Sequence, residues 1–443
     1  MTDSQTNEVL GRALGLVGDW CGLIRQVVVH DVSPADPPLF FATARLGSTR
    51  GFSDVEAGLL NGGAGSDVAT AVMGAIGEAI ERYSIGLYRE RDLVRGSFAE
   101  LAREAMDPRR LIFFTEEQYD WPGFPYTRFD PGRPLSWVPG VSLIDGRQRL
   151  VPAVRVFTPY VAPCEPELLM QSTSTGAACQ VDRDLALLGA LHECIERDAF
   201  VIAWLNRLPL PEIAAKELLD EQDLSLVYGL RRRGITPRWF DATSDLDCPT
   251  IVCVLEGRDA ETPAQAFGAA TRSTLRAAGR KALVESAHTW FWIRTRLLDS
   301  RRELPERADF ADVTSLDAHS LLFASPHMRE HTRFLGGEAR PPSTRRSSRT
   351  SQCSDPKREL AHWVGVLADA GLDAVAIDLT PPEIADLGFE VFRVVVSDLH
   401  PLWGGHHLRC LGGKRVRQVP VELGYREREI PTVELNSIPH PMP

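Results

Sequence analysis

The sequence predicts an α+β fold, in which mixed sheets and helices follow one another without a regular strand–helix unit. Three long segments carry apolar residues at helical spacing, at about 67–90, 184–206 and 273–299. Shorter apolar runs between them are typical of strands, at 135–144, 149–157 and 250–256. Because the two patterns mix without a fixed order, we expect several small sheets rather than one repeating unit.

The N-terminal region predicts the start of a sheet. Residues 22–45 hold two β-rich runs that a proline-rich turn separates. The glycine-rich NGGAG at 61–65 then breaks the chain before the first long helix, and we interpret it as a helix-entry turn. The alternative is a loop whose backbone N–H groups approach a phosphate.

The region near the C-terminus predicts one more helix and two buried strands. Residues 359–372 form an amphipathic pattern, and the runs 373–380 and 389–399 are apolar enough to be covered on both faces.

Composition narrows the class of protein. The chain has 443 residues, of which 44% are hydrophobic and 25% charged, as in an ordinary globular protein. Its net charge of −11 excludes a whole-molecule basic field, so we expect neither nucleic acid nor an anionic membrane as a partner. No apolar run reaches the roughly 18 residues of a membrane span. The N-terminus lacks a secretion signal, and the eight cysteines are scattered without a Cys-x-x-Cys pair, so we expect a cytoplasmic protein.

The chain is predicted to hold an N-terminal extension at 1–20 and one large domain at 21–443. Residues 336–356 are rich in proline, serine and arginine and lack apolar periodicity, which indicates a flexible surface loop. A mobile basic flap that meets an acidic ligand is the functional alternative. The last five residues, 439–443, read Pro-His-Pro-Met-Pro.

Two helical segments repeat each other. GAIGEAIERY at 74–83 and GALHECIERD at 189–198 share Gly, Ala, Glu, Ile, Glu and Arg at the same positions, which indicates an internal duplication. At helical spacing each copy places two glutamates and an arginine on one face, namely Glu78, Glu81 and Arg82, and Glu193, Glu196 and Arg197.

A solvated face with ion pairs is the ordinary explanation of such a cluster. In the first copy Val72, Ile76 and Ile80 belong to an apolar stripe opposite the carboxylates, so that explanation stands there. In the second copy the face of Glu193 continues to Phe200 and Trp204, and we therefore expect protein to cover it.

Covered carboxylates need compensating charge. Their desolvation costs several kcal/mol each, and one adjacent arginine is too little for two of them. A third helical segment adds Glu285, with Lys281 and His288 on the same face. We expect the five glutamates to meet at one enclosed centre that holds Mg²⁺ and a nucleotide, with arginine and lysine facing the phosphates. No P-loop sequence is present.

These motifs resemble those of the YcaO family, and specifically its azoline-forming cyclodehydratases, the D proteins of thiazole/oxazole-modified peptide biosynthesis. The resemblance covers NGGAG before GEAIERYS, STGAACQ before ECIERDAF, WLNRLP, ALVESAH, and the stretches HPLWGG, RCLGGKR and NSIPHPMP. It runs from about residue 20 to the last residue.

The resemblance implies a YcaO-type fold that binds ATP and Mg²⁺. It implies metal-binding roles for Glu78, Glu81, Glu193, Glu196 and Glu285, with Arg82, Arg197 and Lys281 near the phosphates. This chain has Ala64 and Gly74 where many relatives have lysine and serine.

The Pro-x-Pro-x-Pro ending marks the azoline-forming members. Alternating prolines fix φ and give a stiff extended segment, and a terminal carboxylate is ionised at neutral pH. We therefore expect Pro443 to supply a general base. An untethered surface end is the ordinary alternative for a proline-rich tail.

The implied reaction is ATP-dependent cyclodehydration in a ribosomally made precursor peptide. A Cys, Ser or Thr side chain attacks the preceding carbonyl, and phosphorylation of the amide oxygen lets it leave, which gives a thiazoline or oxazoline. Two alternatives remain open. The protein forms thioamides or amidines by the same ATP chemistry, or it is a catalytically idle scaffold that binds peptide.

The resemblance also implies partners. They are the precursor peptide, an E1-like or leader-binding protein, a flavin-dependent dehydrogenase that oxidises the rings, and a second copy in a homodimer.

Three histidines lie close in sequence at His400, His406 and His407. Without cysteine or carboxylate spacing to support a metal site, we interpret them as loop packing or peptide contacts.

Overall fold

The computed structural model describes residues 3–51, 53–258, 262–299, 304–337 and 355–443. The predicted loop at 336–356 falls outside the described residues except at its two ends. The α-helices of the described residues are α1 Asp3–Leu14, α2 Val68–Ile85, α3 Phe98–Leu101, α4 Ala153–Val156, α5 Arg183–Leu205, α6 Ala215–Leu218, α7 Glu221–Arg232, α8 Leu275–Leu298, α9 Leu316–Leu322, α10 Pro356–Asp369, α11 Pro382–Ala385 and α12 Arg415–Glu422. The strands are β1 Ile24–Val29, β2 Phe40–Leu46, β3 Leu60–Gly65, β4 Val94–Ser97, β5 Pro134–Ser142, β6 Gln148–Pro152, β7 Ala177–Gln180, β8 Glu212–Ile213, β9 Ile235–Asp241, β10 Thr250–Gly257, β11 Gln265–Thr271, β12 Ala374–Asp378 and β13 Glu390–Val396.

The three long predicted helices are confirmed as α2, α5 and α8. Local sequence explains where two of them begin. The Asp67 side chain accepts the backbone N–H of Thr70 before α2, and Thr274 accepts that of Ala277 before α8.

The first compact unit comprises 1–30, 40–194 and 353–401. It holds the antiparallel sheet β1-β2-β3 and a six-stranded sheet in the order β4-β5-β12-β13-β7, with β6 paired to β5. The apolar stripe of α2 is buried as predicted, since Val72, Ile76 and Ile80 join a core cluster with Val9 and Ala13 of α1.

The second unit comprises 31–39, 195–352 and 402–443. Its antiparallel sheet has the order β11-β10-β9-β8, and nearly every residue of β10 and β11 is buried. Helix α8 packs closely on β11 at Gly268, where an added Cβ would lie 2.3 Å from the Ser286 nitrogen. With its mixture of helices and antiparallel sheets, the protein is α+β as predicted.

Two local predictions are wrong. NGGAG is not a helix-entry turn, because residues 60–65 form strand β3, which pairs with β2. Its glycines serve packing instead, since a Cβ on Gly63 would lie 2.1 Å from the Ala71 oxygen. The run 149–157 is a strand only to Pro152, and helix α4 follows.

Candidate active site

The polar side of α2 carries Glu78, Glu81 and Arg82, whose side chains bond to one another. Arg82 donates from Nη2 to Glu78 Oε1 at 3.3 Å and from Nη1 to Glu81 Oε1 at 3.0 Å. The Glu81 side chain is 17% exposed and that of Glu78 is 35% exposed. This face is therefore partly covered, and a single guanidinium bridges both carboxylates.

Backbone N–H groups also hold two of the glutamates. Gly62 of β3 donates to Glu78 Oε2 at 2.8 Å, and Gly176 donates to Glu193 Oε2 at 3.3 Å. Gly176 has φ +86°, and a Cβ there would lie 2.3 Å from the Val394 oxygen, so the position requires glycine. The glycines of the NGGAG and STGAACQ motifs thus bring backbone against the carboxylates.

Glu78, Glu81, Arg82 and Glu193 make up what we call the first glutamate group. Burial raises the pKa of Glu81 to about 8, and the charges of Glu193 and Glu78 add to the rise, although Arg82 and Arg393 oppose it. Burial is thus the main cause of the raised pKa of Glu81, and the two arginines do not cancel it.

Glu196 and Arg197 follow on α5, within the second unit. Glu196 is 7% exposed, and its Oε2 accepts the backbone N–H of Thr271, the last residue of β11, at 3.1 Å. Arg197 Nη1 lies 3.4 Å from Glu196 Oε1. A buried carboxylate is thus fixed by one backbone donor and one arginine, as predicted for a covered face.

Helix α8 adds Glu285, which forms an ion pair with Lys281 one turn earlier. Burial raises the pKa of Glu285, but the charges of Lys281, His288 and Arg197 outweigh this and lower it to about 2. We call Glu196, Arg197, Lys281 and Glu285 the second glutamate group. In this group cations surround the carboxylate.

Each group brings together predicted residues that are distant in sequence. Helix α5 contributes to both, because Glu193 and Glu196 lie one turn apart on it. That all five glutamates share one centre stays a prediction. Among the residues that the structure describes, no set of three or more His, Cys, Asp or Glu side chains is arranged as a metal centre.

Sequence reasoning missed Arg393 of β13. It is 1% exposed and donates from Nη2 to the Thr173 oxygen at 2.5 Å. Burial, and then the charge of Arg155, lowers its pKa to about 10. A lone arginine inside the apolar run FEVFRVVV was the available signal, because a charge at a buried strand position needs a partner nearby.

The predicted catalytic residue, Pro443, is exposed at the end of a buried segment. Pro439, His440, Pro441 and Met442 are all buried. The alternative of an untethered surface end is therefore wrong for the residues that precede Pro443.

The clustered histidines pack in loops. His400 lies against Phe113, with ring centroids 4.3 Å apart, and His406 lies 5.6 Å from Phe310. His407 is exposed. The interpretation as packing residues is confirmed for His400 and His406.

Comparison with known proteins identifies the family. Residues 62–400 match the family model described as YcaO cyclodehydratase, ATP- and Mg²⁺-binding. The chain therefore belongs to the YcaO family. The predicted family is confirmed, as are the predicted cofactors ATP and Mg²⁺, which the family's description names. Membership supports an ATP-dependent enzyme.

Individual relatives agree with this assignment. An uncharacterized protein of Methanothermobacter thermautotrophicus is 25% identical over 339 residues, which are 76% of this chain and 80% of that protein. A heterocyclase solved in complex with substrate and cofactor has a TM-score of 0.81 and 21% identity, over 99% of this chain and 57% of its own. YcaO from Methanopyrus kandleri, bound with AMPPCP and Mg²⁺, has a TM-score of 0.62 and 18% identity, over 90% and 91% of the two chains. These structures show that the fold is shared.

The helices of the described residues include none that is both long and apolar enough to span a membrane.

Proposed function

We propose that the protein is an ATP-dependent cyclodehydratase that converts Cys, Ser or Thr residues of a ribosomally made precursor peptide into thiazolines or oxazolines. The observation that carries this choice within the YcaO family is the Pro-x-Pro-x-Pro segment at 439–443, which is buried up to Met442. A tail held in this way is suited to catalysis, whereas a loose tail would carry a large ordering cost.

The first glutamate group fits Mg²⁺. Its carboxylates are hard oxygen donors, and the raised pKa of Glu81 indicates that further positive charge nearby would favour the ionised form of this side chain. A dication supplies that charge and commonly binds together with phosphate oxygens. We propose Glu78, Glu81 and Glu193 as metal ligands, with Arg82 close to the phosphates.

The second glutamate group fits the triphosphate. Arg197 lies beside Glu196 and Lys281 lies beside Glu285, so both cations are placed where they can also bind phosphate oxygens. We propose Glu196 and Glu285 as further metal ligands, which completes the five glutamates of one Mg²⁺–ATP site.

The proposed reaction gives each part of the chain a task. ATP supplies a phosphoryl group to the oxygen of the attacked amide, which then leaves as phosphate. The peptide thiol or hydroxyl forms the new bond to the carbonyl carbon and loses its proton, and loss of the amide proton completes the C=N bond. Pro443 is proposed to take up protons through its carboxylate. The net change is the loss of one water per ring.

The proposed partners follow from the same chemistry. They are the precursor peptide, an E1-like or leader-binding protein, a flavin-dependent dehydrogenase for later oxidation, and a second copy in a homodimer. The seven cysteines that lie in the described residues are present as thiols, which supports the reducing cytoplasm as the proposed location.

One reconstitution tests the function. The protein is incubated with the precursor encoded beside it, the candidate leader-binding partner and Mg²⁺–ATP, and the peptide is analysed by intact mass. We expect the loss of one water per modified residue, which acid restores. Replacement of oxygen by sulfur would identify a thioamide-forming enzyme instead, and an absence of Mg²⁺-dependent ATP turnover with substrate present would identify an idle scaffold.

Two variants test Pro443. Deletion of Pro443 and addition of one glycine after it both move the carboxylate away from its position, so both should slow cyclisation while ATP binding is kept. Unchanged cyclisation rates in both variants would contradict the general-base role.

A further inference from the structure

The segment that leads to Pro443 is held by its carbonyl groups. Proline has no N–H, so residues 439, 441 and 443 cannot donate to a neighbouring strand. The backbone carbonyls and the side chains between the prolines are therefore the groups through which the protein can fix this segment.

Scaffold side chains donate to successive carbonyls of the segment. Trp204 Nε1 donates to the Ile438 oxygen at 3.1 Å, and His319 Nδ1 donates to the His440 oxygen at 2.8 Å. Arg409 Nη1 reaches the Ser437 oxygen at 3.4 Å, and His406 also bonds to the Ser437 backbone.

Just before the segment, Asn436 fastens the chain to the end of α5. Its backbone N–H donates to the Leu205 oxygen at 2.7 Å, and its side-chain amide donates to the Trp204 oxygen at 3.1 Å. The helix that carries Glu196 and Arg197 thus anchors the root of the segment.

The side chain of His440 also holds the segment, through stacking and a hydrogen bond. It is fully buried, stacks on His319 with centroids 3.9 Å apart, and lies edge-on to Trp403 at 4.8 Å. Its Nε2 lies 2.9 Å from the Trp403 oxygen. Because a carbonyl only accepts, His440 carries its proton on Nε2 and His319 carries one on Nδ1.

This site holds several buried polar atoms without a partner among the described residues. They are His319 Nε2, Trp403 Nε1 and His440 Nδ1. Buried polar atoms of this kind are commonly satisfied by ordered water.

We propose that His319 and Trp403 form a seat for His440, and that His440 is the positioning residue that places Pro443 for the cyclisation step. The proposal rests on the proposed function, because it assigns a purpose to the seat in that reaction. In this proposal His440 holds the segment, and Pro443 takes up protons.

The test compares His440→Ala and His440→Gln with the parent protein. Alanine removes both the stack and the donor, so kcat for cyclisation should fall by about a hundredfold. The KM for ATP should stay unchanged, and hydrogen exchange in the C-terminal peptide should become faster. Glutamine can still donate from its Nε2 to the Trp403 oxygen and should recover part of the rate. His407→Ala, at an exposed position beside His406, is the matched control and should behave as the parent does.

Two results would overturn the seat. One is a His440→Ala protein with unchanged exchange in the C-terminal peptide, and the other is faster exchange with an unchanged kcat. Failure of the proposed function looks different. In that case the parent protein itself yields no azoline, while the exchange comparison still reports whether His440 holds the segment.

Discussion

The two glutamate groups differ in the charges that lie around their carboxylates. In the first group burial and the neighbouring carboxylates raise the pKa of Glu81 to about 8, even though Arg82 lies beside it. In the second group Lys281, His288 and Arg197 overcome burial and lower the pKa of Glu285 to about 2. The charges that act on each carboxylate therefore differ, since Glu81 has other carboxylates as well as arginines nearby, whereas Glu285 has Lys281 and His288 on its own helix.

This difference suggests that the two groups bind different parts of Mg²⁺–ATP. A group in which burial raises the pKa of a carboxylate is suited to a dication, and a group in which cations lie beside the carboxylate is suited to phosphate oxygens. The following variants test this difference between the two groups.

The largest effect is expected for Glu196→Gln in the second group. Glutamine can still accept the N–H of Thr271, so the fold should survive while a charged oxygen is lost. ATP-dependent phosphate release should fall by at least about a hundredfold. Glu217→Gln, at an exposed position of α6, is the control and should leave turnover unchanged. Turnover close to the parent's in Glu196→Gln would remove this residue from the site.

Gly63→Ala should damage the support of the first group. Its Cβ would lie 2.1 Å from the Ala71 oxygen and 2.3 Å from the Ala75 nitrogen, so α2 must move away from β3. We expect a loss of about 3 kcal/mol in the free energy of unfolding, measured with denaturant. Gly77 lies on α2, and no atom lies within 4 Å of a Cβ added there. Gly77→Ala should therefore stabilise the protein by about 0.5 kcal/mol. Equal effects of the two changes would show that close packing at Gly63 is unimportant.

Glu81→Gln should change how stability depends on pH in magnesium-free buffer. The pKa of Glu81 in the folded protein is about 8, above its ordinary 4.5, so its contribution to stability is complete in acid and is lost as pH rises through about 8. The variant should therefore exceed the parent by about 2 kcal/mol at alkaline pH and match it in acid. Glu104→Gln, an exposed site in the first unit, serves as the control. If the free energy of unfolding depends on pH in the same way for Glu81→Gln and the parent, the pKa of Glu81 is not raised.

The smallest effect is expected for Glu285→Gln, with the opposite sign. Its lowered pKa means that the ion pair with Lys281 stabilises the protein above about pH 4.5 and is lost as pH falls toward about 2. Both side chains are more than a third exposed, so the variant should lose only about 0.5 kcal/mol near neutral pH. A higher free energy of unfolding for Glu285→Gln at neutral pH would contradict the lowered pKa of Glu285.

The sequence was sufficient for the three long helices and for a set of candidate site residues, whose roles stay a prediction. The helical periodicity of α2, α5 and α8 is strong because each buries a broad apolar face. The continuation of the Glu193 face to Phe200 and Trp204 correctly predicted that Glu196 is buried.

The rest depends on long-range contacts that local patterns do not encode. NGGAG resembles a turn by composition, yet it is a strand because its glycines let β3 lie against α2. Likewise, Arg393 acts on Glu81 and Glu193 across a separation of about 200 residues or more, which no local spacing reveals. The seat of His440 was missed for the same reason, since His319 comes from a distant helix.

The C-terminal segment is held through its carbonyls and one stacked ring, so we expect that it can be supplied as a separate peptide. A protein that ends before Ser437 would leave this binding site open. A synthetic heptapeptide of sequence SIPHPMP could then be added to it in trans. Chemical synthesis would then give access to this end of the molecule atom by atom, with isotopic labels, altered rings or an amidated terminus that genetic substitution cannot provide.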